Sequence, residues 1–456
     1  MRKLYIQTYG CQMNQYDSQR IARVMRRLDY TLTDEITSAD LVLLNTCSVR
    51  DKAEQKVYSA LGTWKELKEA NEDLIIGVGG CVAQQEGERL LQRVPHLDIV
   101  FGTHNVHKLP EMVEQVHGLR QRPVETAFYR HPFYMEDEPG GQPSVQGAKA
   151  LVTIMQGCNK VCSFCIVPHV RGREVSRPSA KIVAEVRALV EGGVREVMLL
   201  GQNVNSYGQT VPGEIHFAAL LRQLNGIAGL QRIRFTTSHP QDLSRELIEA
   251  FASLEKLCEH LHLPVQSGAD TVLGRMRRGY TRRDYLENIN YLRERRPNIA
   301  LSSDVIVGFP GETEEEFRQT LELLNEVKYD EIYSFVYSPR PHTVSARIFE
   351  DDISESVKKE RLQKVQQLQQ AISLTKNRGK IGNIEEILVE GTARLKNGQV
   401  MGRTRTNRIV NVAGSQRLLG SFIDVRITGA TANSLLGERH LGEKPDCIFR
   451  AERETA

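Results

Sequence analysis

Three cysteines in the segment MQGCNKVCSFCIVPHVRGREVSRP, Cys158, Cys162 and Cys165, are spaced C-x3-C-x2-C. Three thiolates on one loop can hold three irons of a [4Fe-4S] cube and leave the fourth iron open to a chelating ligand. The open position gives such a site its chemistry. S-adenosylmethionine (SAM) can bind there through its amino and carboxylate groups, and an electron from the cluster then cleaves it to a 5′-deoxyadenosyl radical that abstracts hydrogen from unreactive carbon. A structural zinc site or a redox thiol set is the alternative for the same residues. Cys11, Cys47 and Cys81 lie far apart in the chain, each just past an apolar run: KLYIQTYGC, DLVLLNTC and LIIGVGGC. Taken singly each reads as a buried, inert thiol. Cys258 and Cys447 match neither pattern and read as inert.

The elements between these cysteines must bring them together. Amphipathic stretches, DSQRIARVMRRL and KAEQKVYSALGTWKELKEA, separate the three apolar runs, so the first hundred residues read as βαβαβ and predict a doubly wound parallel sheet. The carboxyl ends of parallel strands share one edge, where ligands bind, and the three cysteines converge there. From Leu151 a second alternation begins, with strand candidates LVTIM, EVMLLGQN, RIRFTTS, HLHLPVQ, ALSSDVIVGF and EIYSFVYS. Roughly six β/α units predict a full or partial β/α barrel, with the C-x3-C-x2-C loop after its first strand. A long polar helix, about Ser356 to Thr375, leads to short β-patterned runs, ILVEGTARL, VMGRTRTNRIVNVAG and FIDVRITGA, which predict a small β-barrel. The expected divisions are 1–118, a Pro-, Gly- and acid-rich linker at 119–147, the barrel at 148–375, the small barrel at 376–441 and a tail at 442–456.

The 456 residues are 40% hydrophobic and 26% charged, an ordinary composition for a soluble protein of two or three domains, and no run reaches the length of a membrane span. The amino terminus, MRKLYIQTYGCQMN, lacks a small-residue cleavage site, so the cytoplasm is the expected compartment. Eight cysteines are too sparse for a disulfide scaffold, and they point to metal binding or catalysis. Net charge is only +3, but Lys376 to Arg439 holds eleven Lys and Arg against five Asp and Glu. That basic end, with Arg403, Arg405 and Arg408 close together, has the charge that sequence-independent RNA binding requires, although a basic surface without a ligand has the same composition.

Taken together, these segments resemble the radical SAM methylthiotransferases, and within them the bacterial tRNA-modifying branch. The likeness covers nearly the whole chain: YGCQMNQYDS, NTCSVRDKAEQKVYSALG, GGCVAQQEG, the cluster segment, LGQNVNSYG, TTSHP, HLPVQSGADTVLGRMRRGYTR and SSDVIVGFPGETEEEF. The resemblance implies that Cys11, Cys47 and Cys81 hold an auxiliary [4Fe-4S] cluster with one iron free for a sulfur species, and that the terminal part is an RNA-binding TRAM domain. It implies two uses of SAM, one as methyl donor to sulfur and one as radical source, with carbon 2 of a dimethylallyladenosine in a tRNA anticodon loop as the target. A low-potential electron donor and a sulfur source are then required as partners, and a monomer is expected. The superfamily's SAM contacts fall on Gly201, Gln202 and Asn203, on Gln266 with Ser267, and on Ser303, Asp304 and Gly308, positions that loop capping and barrel packing also explain. Arg171, Arg173, Arg177, Arg275, Arg277 and Arg278 fit phosphate or the SAM carboxylate, or a solvated charged face. No side chain is assigned to proton transfer. The Cys11-Gln12-Met13-Asn14 form separates this branch from relatives that modify a ribosomal-protein aspartate, which carry Pro-Lys-Asn after that cysteine, and a further branch acts on threonylcarbamoyladenosine.

Overall fold

The computed structural model describes residues 2–48, 51–129, 147–393 and 398–441, with side chains of the helix at Asp51–Ala70 described from Gln55 onward. Most of the expected linker, the expected tail and Cys447 lie outside the described residues. The chain divides into two compact units, Met1–Gln369 and Gln370–Ala456. No described helix is long and apolar enough to cross a membrane.

The first unit opens with a six-stranded, all-parallel sheet. Its strands are β1 (Arg2–Thr8), β2 (Tyr30–Leu32), β3 (Leu41–Thr46), β4 (Ile75–Gly80), β5 (Ile99–Phe101) and β6 (Val124–Glu125), in the order β2-β1-β3-β4-β5-β6. The expected βαβαβ core is therefore present, with three short strands added to it. Every residue of β3 and β4 is buried, as a strand covered on both faces requires. Their two-residue period divides the core: Val42, Leu44, Ile76 and Val78 pack with Leu61 and Trp64 of the helix Asp51–Ala70. Leu41, Leu43 and Ile75 pack on the other face with Ile21 and Val24 of the helix Gln12–Met25 and Met112 of the helix Leu109–Leu119.

The six barrel strands expected from sequence all form. They are β7 (Lys149–Thr153), β10 (Glu196–Leu200), β11 (Arg232–Thr236), β12 (His260–His262), β13 (Ala300–Val307) and β14 (Glu331–Val336), with a two-stranded ribbon of β8 (Met155–Gln156) and β9 (Val175–Ser176) flanking the cysteine loop. They make two parallel three-stranded sheets, β7-β10-β11 and β12-β13-β14, joined by a bridge between Ile233 and Leu257, so the barrel is partial. Helix starts are chemically explicit. Thr281 with Asp284 and Thr313 with Glu316 form capping boxes, each satisfying amides that would otherwise lack partners. Met13 and Tyr16 of the helix Gln12–Met25 pack on Met198 and Leu200 of β10, seating the first sheet against the barrel.

The polar helix extends to Glu355–Arg378. In the second unit β15 (Ile384–Thr392), β16 (Gln399–Thr404), β17 (Ile409–Ala413), β18 (Phe422–Ala430) and β19 (Leu435–Arg439) close a five-stranded barrel around Ile387, Val389, Val400, Val410, Val412, Val425, Ile427 and Leu435. Here β19, which the sequence reading lacked, pairs with both β17 and β18.

Candidate functional site

Cys11, Cys47 and Cys81 directly follow, or lie a few residues beyond, β1, β3 and β4, which are neighbours in the sheet. Cys11 is the N-cap of the helix Gln12–Met25, where unpaired amides and the helix dipole favour a thiolate. The Asn14 amide nitrogen donates to the Asn45 side-chain oxygen at 3.1 Å and to the Thr46 carbonyl at 2.8 Å, while Asn45 donates back to the Asn14 carbonyl at 2.8 Å. The Thr46 hydroxyl donates to the Gly79 carbonyl at 2.6 Å and accepts from the Val82 amide at 3.1 Å. Each cysteine turn is thus tied to the next. Two glycines make the approach possible: Gly10 has φ +132° and a Cβ there would sit 2.5 Å from Cys47 Cβ, and Gly80 has φ +89° with the Thr46 carbonyl 2.4 Å from any Cβ. The thiol of Cys47 hydrogen-bonds that of Cys11 and, with Arg171 and the Asn14 and Met13 amides, holds it down at about 6. Burial pushes the Cys81 thiol up, with Arg171 opposing.

The second triad sits on the loop between β8 and β9, at the carboxyl end of β7. The Ser163 amide donates to the Met276 carbonyl at 3.0 Å and its hydroxyl to the Arg275 carbonyl at 2.8 Å, pinning the loop to the segment that carries Arg278. Arg278 is buried, and it donates to Cys162 Sγ at 3.2 Å, the Pro264 carbonyl at 2.8 Å and the Tyr280 hydroxyl at 3.0 Å. Burial pushes Cys158 up to about 11 and Cys165 up to about 12, which favours the neutral thiols, and the positive charge of a bound metal would favour the thiolates instead. His239 lies 3.9 Å from Cys162 Sγ, and burial, with Arg278 and Lys160 nearby, holds its imidazole down at about 2. No three His, Cys, Asp or Glu side chains among the described residues stand as a site for one metal ion. A cube that places each thiolate on a different iron asks for three thiolate donors and one open iron, and in donor type the loop's Cys158, Cys162 and Cys165 supply them.

Beyond the thiols, the strand ends carry unfilled hydrogen-bonding capacity. Gln156 Nε2, Glu174 Oε1, Asn203 Oδ1, Ser238 Oγ and Gln266 Oε1 are buried without partners; four of them follow barrel strands, and Glu174, just before β9, accepts from Ser206 beyond β10. Unpaired buried polar atoms cost about 1–3 kcal/mol each, so their clustering at the barrel mouth fits a polar ligand of SAM's kind. Asn203 donates to Asp242 at 2.7 Å, Asp242 accepts from Lys160 of the cysteine loop at 2.8 Å, and Gln202 accepts from the Gly157 amide. Gly201 touches Met155, while Gln266, at φ +73°, bridges Val305 through the main chain. Ser303 spends its hydroxyl on Leu263 and Val265, Ser267 bonds Thr320, Asp304 lies 3.6 Å from His262, and the Gly308 amide donates to Glu312. Sequence reasoning missed Lys160, Glu174, His239 and Asp242. Of the arginines, Arg171, Arg177 and Arg278 are buried rather than solvated, paired with Asp17, Glu185 and Cys162 respectively; Arg275 pairs with Glu316, and Arg173 and Arg277 are exposed. Cys258 is buried in the barrel wall. In the small barrel Arg403 bonds Glu390 and Asn407, Arg408 bonds Asn377 and Thr406, and Arg405 is half-buried.

The two triads share a wall. The short helix Val167–Arg171 begins two residues after Cys165, and its Val170 and the preceding Ile166 pack on Cys81. Thr103 donates to the Val170 carbonyl at 2.7 Å, and His104 Nε2 donates to the Arg171 carbonyl at 3.0 Å.

A partial β/α barrel whose first strand leads into a three-cysteine loop defines the class, the radical SAM superfamily. That superfamily's model matches residues 152–324; the TRAM domain matches 378–439, and the family described as Uncharacterized protein family UPF0004 matches 3–102. The tRNA-2-methylthio-N(6)-dimethylallyladenosine synthase of Geobacter metallireducens is 54% identical over 438 residues, covering 95% of this chain and 98% of its own. The synthase of the same name from Syntrophotalea carbinolica is 52% identical over 439 residues, covering 96% and 100%. Among solved structures, the radical S-adenosylmethionine methyltransferase TsrM from Kitasatospora setae aligns with a TM-score of 0.56 over 76% of this chain and 74% of its own at 15% identity, a likeness of fold alone. The chain belongs to the family of tRNA-2-methylthio-N(6)-dimethylallyladenosine synthases and is a radical SAM methylthiotransferase. That membership implies a [4Fe-4S] cluster and SAM.

Proposed function

We propose that the chain transfers a methylthio group to carbon 2 of N6-dimethylallyladenosine in a tRNA anticodon loop, using two clusters: one at Cys158, Cys162 and Cys165, the other at Cys11, Cys47 and Cys81. The observation that carries this reading is the helix Val167–Arg171, which begins beside one triad and packs Val170 on a cysteine of the other. A reaction that joins a sulfur group to a substrate radical needs both sources at one substrate, and a wall common to both triads supports that. When bound, the barrel cluster and SAM supply the radical, and the second cluster supplies the sulfur.

The chain's own residues do the positioning. Arg278 and the backbone of Met276 fix the barrel loop, and Asn203 with Asp242 and Lys160 ties the β10 strand end to it. SAM is assigned to the unpartnered atoms of Gln156, Glu174, Asn203, Ser238 and Gln266, with Gly201, Gln202, Ser303, Asp304 and Gly308 as supporting wall. Residues 1–118, 148–375 and 376–441 are taken as the auxiliary-cluster, radical and RNA-binding parts of a monomer acting in the cytoplasm, with a low-potential electron donor and a sulfur source as partners. An anticodon loop suits the chemistry because its bases are single-stranded and can be splayed out cheaply.

The test is an anaerobic assay of reconstituted protein with SAM, reductant and an anticodon stem-loop bearing dimethylallyladenosine, nucleosides being read by mass spectrometry. The methylthio nucleoside is expected from the parent and from neither Cys158→Ala nor Cys47→Ala, with 5′-deoxyadenosine still formed by Cys47→Ala. Formation of 5′-deoxyadenosine by the parent with unchanged RNA would refute the substrate and favour a ribosomal-protein aspartate or threonylcarbamoyladenosine.

A further inference from the structure

Three exposed basic side chains meet beside the cysteine loop. His169 stands on the helix Val167–Arg171, four residues beyond Cys165, and is exposed, whereas Arg171 of the same helix is buried against Asp17. His342 stands in the turn after β14 at φ +69°, a left-handed conformation that histidine adopts more readily than most side chains. The two imidazole centroids lie 6.1 Å apart, with their planes 38° from each other. Burial, with His342 and Arg347 adding to it, holds the His169 imidazole below its usual range, and Arg347 is exposed on the helix Val344–Ile348. Among the described residues no carboxylate pairs with any of the three.

The arrangement is held from behind. The Thr343 amide and hydroxyl both donate to the Arg340 carbonyl, at 3.2 and 2.7 Å, closing the turn that carries His342. The Ser345 amide donates to the Ser163 carbonyl at 2.7 Å, and its hydroxyl accepts from Tyr337 at 3.1 Å. The segment bearing His342 and Arg347 is therefore fastened to the loop between Cys162 and Cys165. Basic groups set side by side without acids attract an anion. Two N–H···O bonds of about 2.9 Å converging on one phosphate span a gap of this size, and the guanidinium supplies a charge that does not titrate. A metal ion is served less well, since no third His, Cys, Asp or Glu among the described residues completes a site with the two imidazoles.

We propose that His169, His342 and Arg347 form a phosphate subsite at the barrel mouth that holds the sugar-phosphate backbone of the anticodon loop beside the target adenosine. The proposal rests on the tRNA reading above and deepens it by placing one backbone contact next to the barrel cysteines. Phosphate contacts fix register without reading sequence, so these side chains set which nucleotide lies over the barrel and take no part in bond making.

The experiment uses the reconstituted full-length chain with SAM and without reductant, so that nothing turns over. Affinity for a fluorescent anticodon stem-loop bearing dimethylallyladenosine is measured between about 50 and 200 mM salt. Arg347→Gln is expected to weaken binding about fivefold and to reduce the slope of log affinity against log salt by about 0.7, the value for one phosphate on a single strand. His169→Gln with His342→Asn, asparagine being suited to the left-handed turn, is expected to weaken it about threefold or more. Arg347→Lys is expected to restore affinity and slope, because a point charge serves a phosphate. Arg283→Gln, on the exposed face of the helix Arg282–Arg295, controls for general charge and is expected to change neither. Unchanged affinity and slope in the Arg347 and histidine variants would overturn the subsite, as would equal weakening by Arg283→Gln. Loss of SAM binding with RNA affinity intact would overturn it in favour of the SAM carboxylate. Failure of the parent to bind the stem-loop would overturn the tRNA reading beneath it.

Discussion

Replacing Arg278 by methionine removes a side chain of similar length whose three donors reach Cys162 Sγ at 3.2 Å, the Pro264 carbonyl at 2.8 Å and the Tyr280 hydroxyl at 3.0 Å. The Pro264 carbonyl retains a long bond from the Tyr280 hydroxyl at 3.4 Å, so the loss falls mainly on the sulfur. A hydrogen bond from a charged donor is worth about 1.5–3 kcal/mol, and the desolvation of the buried cation is regained in the variant, so the net loss is about one such bond. That converts to roughly a 10- to 100-fold weakening of iron retention at the barrel triad, the range expected for a residue that supports a metal ligand. The assay is iron content after timed exposure to a chelator under anaerobic conditions, with spectra distinguishing iron held at the barrel triad from iron held elsewhere. Iron at the barrel triad should be lost first, and 5′-deoxyadenosine formation should fall with it. Arg278→Lys, with one of three contacts restorable, should fall between. Unchanged chelator resistance, or equal loss from both triads, would refute the reasoning.

Gly10→Ala places a Cβ 2.5 Å from Cys47 Cβ at a φ of +132°, so the purified protein should hold roughly four irons rather than eight, with 5′-deoxyadenosine formation intact; eight irons in the variant would refute this. His107 is held down at about 4 by burial, with Arg20 adding to it. Between pH 4 and 6.5 the folded protein keeps this imidazole neutral while the unfolded chain protonates it, so stability is full above 6.5 and falls with pH by about 1.4 kcal/mol per unit until 4. His107→Gln should flatten the dependence of Tm on pH in that window, and parallel curves would show that the burial does not matter. Asp242→Ala removes both oxygens, one accepting from Lys160 at 2.8 Å and the other from Asn203 at 2.7 Å; KM for SAM should rise several-fold at unchanged iron content, and an unaltered KM would exclude this tie from SAM binding.

Much of this was legible from residue pattern. LVLLNT and LIIGVGG announce strands buried on both faces because nearly every position is apolar, and the cysteines that follow are placed by the parallel topology alone. Strands β2, β5 and β6, two or three residues each, are too short for a period to register. Arg171 and Arg177 stand among polar neighbours in RGREVSR, and nothing local announces burial; the Asp17 that pairs with Arg171 lies 154 positions away. Asn45 did carry a signal, since an asparagine at the end of an otherwise apolar strand needs a buried partner, and Asn14 of the helix Gln12–Met25 is that partner. Lys160 and Asp242 were opaque because their pairing depends on which strand ends the barrel brings together.

The helix Val167–Arg171 also bears on how the protein is made. The first sheet is complete once Glu125 has been synthesised, and its two-sided core gives it what it needs to begin folding while the chain is still emerging. Its cysteine edge at that moment lacks Arg171, Ile166 and Val170, which arrive only with the barrel's first loop. The earlier-synthesised triad therefore gains its cation and apolar cover only with the later one, and a chain truncated within the barrel loop would present three thiols with neither beside them.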